Sequence, residues 1–104
     1  MLAMESAAGL QADVARWYAA KGRLEAMRGN ATLAREAWSE AIARTRHVVE
    51  LWDGENAGIR AFLSQMLKLA AESLDRFGSN DQTAEMVAES REIWRSLRLP
   101  DEAW

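Results

Sequence analysis

The stretch from Gly29 to Trp52, GNATLAREAWSEAIARTRHVVELW, holds the pattern on which the fold turns. It opens on a break, because Gly29 and Asn30 both tolerate the left-handed backbone that ends a helix, and Asn can cap the next one. Ala34, Trp38, Ala41, Thr45, Val48 and Trp52 then follow at spacings of four, three, four, three and four. That period places all six on one face of a helix; a half-buried strand would alternate every second residue.

Working outward, similar breaks stand at Asp53-Gly54-Glu55-Asn56 and Gly78-Ser79-Asn80-Asp81, and Pro100 makes a last stop. They predict four helices, over about 6–28, 31–52, 56–77 and 81–98, each roughly 27–35 Å long. The third carries Ile59, Leu63, Met66, Leu67, Ala70, Leu74 and Phe77, and the first Leu10, Val14, Trp17, Tyr18, Leu24 and Met27. In the fourth, Met86, Val87, Ser90, Trp94 and Leu97 continue the pattern with less apolar character. Short turns force consecutive helices to lie antiparallel. The expected fold is therefore all-α, two antiparallel helical hairpins in one domain spanning 1–104.

The halves echo each other. Ala8-Gly9-Leu10-Gln11-Ala12 recurs 49 residues later as Ala57-Gly58-Ile59-Arg60-Ala61, and the same offset carries Gly29 onto Gly78. It also carries Glu36, Glu40 and Arg46 onto identical residue types. A period in this range signals a solenoid, in which each unit buries its apolar face on its neighbour. The repeats are then about 4–52 and 53–101, one period each.

Composition narrows the functional classes. Lys and Arg number 13 against 16 Asp and Glu, a net charge of −3 that lacks the positive footprint nucleic acid demands. No stretch approaches the ~20 apolar residues of a membrane span. The opening Met-Leu-Ala-Met-Glu-Ser lacks the basic and apolar regions of a secretory leader. With no cysteine there is no disulfide framework, thiolate zinc site or cysteine nucleophile. These absences favour the cytoplasm and a partner that is protein. His47, the one histidine, has no second histidine or nucleophile to work with, so neither a metal site nor a catalytic triad is expected. Glu36 and Glu40, with Glu85 and Glu89, stand one turn apart and read as a solvated outer face. No cofactor, metal or catalytic residue is predicted. Among the five tryptophans, Trp38, Trp52 and Trp94 are expected in the core, while Trp17 and Trp104 are candidates for exposure.

The hairpin pattern resembles the tetratricopeptide repeat, and its long connector and period resemble longer-helix bacterial variants of that family. The family places a small residue in mid helix A, glycine at the turn, and a small-aromatic-small triad on helix B. Gly22, Gly29 and Ala34-Trp38-Ala41 fill these places in the first copy; Ala71, Gly78, Thr83, Val87 and Ser90 match in the second. The physical logic is close packing, with small side chains admitting the neighbouring helix and one large residue filling the gap. Glu25 departs from the large residue usual three positions after the small one, and the proline that usually ends helix B is missing near Arg46.

The resemblance implies a non-catalytic module whose helix A face holds a partner's peptide or helix. The register gives Arg16, Ala19, Arg23 and Met27, then Gln65, Lys68, Glu72 and Arg76, as its lining. Arg16, Arg23 and Lys68 suit an acidic or C-terminal carboxylate ligand. The same residues also read as a solvated helix face with ordinary charge alternation. The asparagine-and-lysine clamp of chaperone-binding members is absent. Two repeats leave an apolar end uncovered, so homodimerisation through an end hairpin is a further expectation. A second resemblance competes: Trp52-Asp53-Gly54 near mid-chain is similar to the central Trp-x-Gly turn of small secreted helical-hairpin proteins. Those have two long uninterrupted helices, so counting helices separates the readings.

Overall fold

A computed structural model of the chain describes residues 2–52, 56–78 and 80–104. Four helices run in order: α1 (Leu2–Met27), α2 (Ala31–Leu51), α3 (Ala57–Leu74) and α4 (Asp81–Ser96). Single 3-10 turns at Asp75–Phe77 and Asp101–Ala103 follow α3 and α4. No strand occurs among the described residues. The two uninterrupted helices of the Trp-x-Gly resemblance are not present; Asp53 and Gly54 of that turn lie outside the described residues.

The turn between α1 and α2 follows from its residues. Gly29 takes φ +81°, a left-handed conformation that costs glycine nothing. Its N–H donates to the Ala26 carbonyl at 3.1 Å, and the Asn30 N–H to the Glu25 carbonyl at 2.9 Å, which satisfies two carbonyls that α1 would otherwise leave open. The Asn30 amide also donates to the Glu25 carboxylate at 2.8 Å. Glu25 is buried for this reason: where a large apolar residue was expected, a carboxylate ties the turn together. The later caps are equally local. Asn56 accepts from the Ile59 N–H, and Asn80 with Thr83 forms a reciprocal capping box at the start of α4. That helix stops at Ser96, two residues before its expected end, and Arg98 follows at φ +59°.

The helices pair as α1 with α2 and α3 with α4, and α3 joins the pairs by packing chiefly on α2. One core runs through both hairpins, including Ala15, Ala34, Trp38, Ala41, Ile42, Leu67, Ala70 and Met86. Trp38 is fully buried, and a Cβ added at Gly22 would lie only 2.7 Å from its Cδ1 and 2.8 Å from its Nε1. The indole therefore lies against the bare α-carbon of Gly22, and its Nε1 finds no hydrogen-bond partner among the described residues. At the equivalent places in the second hairpin, Ala71 is buried and Val87 half-buried, so a larger residue on α3 accompanies a smaller one on α4.

The offset of 49 holds at a second crossing. Ala15 and Ala41 are both fully buried in the first hairpin, and Ser64 and Ser90 are their equivalents. The serines bridge α3 to α4: Ser64 Oγ donates to the Ser90 carbonyl at 2.8 Å, and Ser90 Oγ to the Ser64 carbonyl at 2.6 Å. The Trp104 Nε1 donates to Ser90 Oγ at 2.7 Å, and the Trp94 Nε1 to the Pro100 carbonyl at 2.8 Å. These bonds fold the C-terminal segment over the second hairpin. Trp94 is buried and Trp104 half-buried, while Trp52, at the frayed end of α2, is half-buried instead of core.

Candidate functional site

Helices α1 and α3 bring residues of the two hairpins to a common cleft. Arg23, Ala26 and Met27 line it from α1, and Leu69, Glu72, Ser73 and Arg76 from α3 and the turn after it, around a volume of about 480 Å³. Four of the seven partner-binding residues expected from the register, Arg23, Met27, Glu72 and Arg76, therefore stand on one concavity. Its floor is apolar (Ala26 and the side of Leu69), and two arginines and one carboxylate edge it. Such a surface offers an apolar seat with a few charges that fix orientation, the general make-up of a recognition site.

The two arginines differ. Arg23 is exposed and has no ion-pair partner among the described residues. Arg76 reaches across the hairpins and donates from Nη1 to the Ala26 carbonyl at 2.8 Å. Its charge thus lies at the C-terminal end of α1, where the aligned peptide dipoles favour a cation. Arg76 both lines the cleft and fastens the second hairpin to the first. Glu72 also borders a neighbouring cleft of about 390 Å³ with Ala71, Asp75, Asn80, Thr83, Ala84 and Val87.

The other three expected residues lie elsewhere. Arg16 pairs with Asp13 at 3.0 Å and lies over the Phe62 ring, 5.0 Å from its centroid. Gln65 is half-buried. Lys68 donates to the main-chain oxygen of Trp104 and stands over its ring. The folded-back C-terminal segment thus occupies the lysine that the register assigns to a ligand. No local sequence signal placed Trp104 there, since the contact spans 36 residues.

The outer faces carry a tie that was also missed. Arg46 on α2 and Glu89 on α4 form a two-pronged ion pair, Nη1 to Oε2 at 2.7 Å and Nη2 to Oε1 at 2.8 Å. The paired guanidinium holds the Glu89 carboxyl below its usual range, and the carboxylate raises Arg46 in turn. Glu89 is therefore an inter-hairpin partner, whereas Glu36, Glu40 and Glu85 are exposed as expected. His47 is exposed, its Nδ1 3.7 Å from Glu50. No group of three or more His, Cys, Asp or Glu side chains is arranged to hold a metal among the described residues, and none of their helices is long and apolar enough to cross a membrane.

Neither the family models, nor the curated proteins, nor the solved structures compared with the chain match it.

Proposed function

We propose that the chain is a tetratricopeptide-like interaction module that holds a segment of a protein partner in the cleft between α1 and α3, without chemistry of its own. One observation carries this reading: Arg23 and Met27 of the first hairpin and Glu72 and Arg76 of the second, matched by register alone, line one cleft. A site that needs both hairpins gives the repetition a purpose, because the cleft exists only where two units stack. The free guanidinium of Arg23 suits an acidic residue or a terminal carboxylate, and the apolar floor takes a neighbouring side chain.

The test is a panel of short acidic peptides with free C-termini, titrated by fluorescence anisotropy against the intact chain and against Arg23→Glu. Arg23 makes no ion pair with a described residue, so its reversal leaves the fold intact. Binders should lose about tenfold, the effect of removing one charge-assisted contact of about 1.4 kcal/mol. Equal binding to Arg23→Glu, or a panel without binders, contradicts the proposal.

A further inference from the structure

The buried face of α1, centred on Ala15, Gly22 and Ala26, is not its only apolar face. Leu10, Trp17, Leu24 and Met27 lie on the opposite side, 64%, 59%, 46% and 75% exposed. With Asp13 and Ala20 they repeat at spacings of three and four, the seam by which one helix packs lengthwise on another. A helix apolar on two sides is built to be covered on both.

The internal repeat shows what the seam does. Forty-nine residues on, its positions become Ile59, Phe62, Met66, Leu69, Ser73 and Arg76 of α3. There the seam is used to stack on the preceding hairpin: Phe62 lies under the Arg16 guanidinium, Arg76 bonds the Ala26 carbonyl, and Met66 is buried. What α3 turns toward a helical neighbour, α1 turns to solvent.

Charge decides the neighbour. Arg16 and Arg23 run along one margin of the seam and Lys21 and Arg28 along the other. Asp13, already paired with Arg16, is the one exposed acidic side chain among the described side chains of α1. A second copy laid antiparallel on this seam would set basic margin against basic margin, which penalises self-pairing. We infer that the outer seam of α1 is a docking surface for an acidic amphipathic helix of a partner protein, its apolar stripe on Trp17 and Leu24 and its carboxylates on the basic margins. The inference rests on the interaction-module reading but concerns a different face; only Met27 and Arg23 are shared with the cleft.

The probe is a synthetic peptide of about three heptads with leucine at the seam positions and glutamate on both margins, its own like charges keeping it monomeric. A twin with lysine on the margins is the control. Titrated against the intact chain, the glutamate peptide should bind and the lysine twin should not. Trp17→Ala should weaken binding by about tenfold or more, as loss of a tryptophan anchor does. Lys21→Glu should weaken it and flatten its salt dependence. Both variants alter exposed side chains, and circular dichroism verifies their folds. Equal binding of the twins, indifference to Trp17→Ala, absence of binding, or a concentration-dependent dimer dissolved by Trp17→Ala would each overturn the inference. Binding of the glutamate peptide that is lost in Arg76→Glu yet kept in Trp17→Ala would place it in the cleft, sparing the proposed function and refuting the seam.

Discussion

Gly22 and Trp38 are matched so closely that a single methyl group on the glycine would stand 2.7 Å from the indole. The ring is fully buried and cannot yield, so Gly22→Ala should destabilise the fold although alanine is the better helix former. Overpacking of about 1–3 kcal/mol outweighs a propensity gain of about 1 kcal/mol. The second hairpin shows the compensated form, Ala71 with Val87, so in a Trp38→Val background Gly22→Ala should become neutral or stabilising. Urea denaturation of the four-member cycle reads this directly; an unchanged penalty in the Trp38→Val background would refute the pairing.

Ser64 and Ser90 should behave as a unit. Either alanine substitution leaves a buried hydrogen-bonding group unsatisfied, costing about 1–3 kcal/mol. The double variant restores the all-alanine crossing of Ala15 and Ala41, and should cost clearly less than the sum. Ser90→Ala alone also deprives the Trp104 indole of its acceptor, so it should be the worse single change. Thermal melts of the three variants measure the coupling, and strict additivity would count against it.

The Arg46–Glu89 pair gives a pH prediction of definite sign. The Glu89 carboxyl titrates lower in the folded protein than in the unfolded chain, so its contribution is present above the ordinary glutamate value of ~4.3. It disappears as the pH falls through the folded value. Because both side chains remain partly exposed, the coupling should lie within the ~0.2–1 kcal/mol of surface pairs and shrink in high salt. Carboxyl carbon shifts of Glu89 report its titration, which should move upward in Arg46→Gln.

Arg98, held at φ +59°, occupies the place after α4 that glycine fills more comfortably. Arg98→Gly should therefore stabilise the protein by about 0.5–1 kcal/mol even though it removes a side chain. A lower melting temperature for this variant would show that the arginine side chain matters more than its backbone strain.

Legibility in the sequence followed the range of the interactions. The stripe of Ala34, Trp38 and Ala41 and the Gly29-Asn30 turn were readable because helical period and turn chemistry act within a few residues. The match of Gly22 to Trp38 needed the resemblance, since nothing in a lone glycine points to a ring 16 residues away. The burial of Glu25 was hidden because a carboxylate signals solvent until its Asn30 partner is seen. Ser64 and Ser90 were within reach, for the 49-residue offset carries Ala15 and Ala41 onto them; their polarity masked buried positions. Arg46 to Glu89 and Lys68 to Trp104 join residues 43 and 36 apart, and no local pattern encodes such pairs. Of the expected binding residues, Arg23, Met27, Glu72 and Arg76 converged because register carries across both hairpins. Lys68 did not, because the C-terminal segment reached it first.

The central claim is that the cleft between α1 and α3 is where this chain meets its partner. Amide chemical-shift mapping during titration with the tightest acidic peptide tests it most directly. The account predicts shifts centred on Arg23, Met27, Glu72 and Arg76, with α2 and the exposed face of α4 undisturbed. Shifts confined to α2 and α4, with those four residues silent, would contradict it.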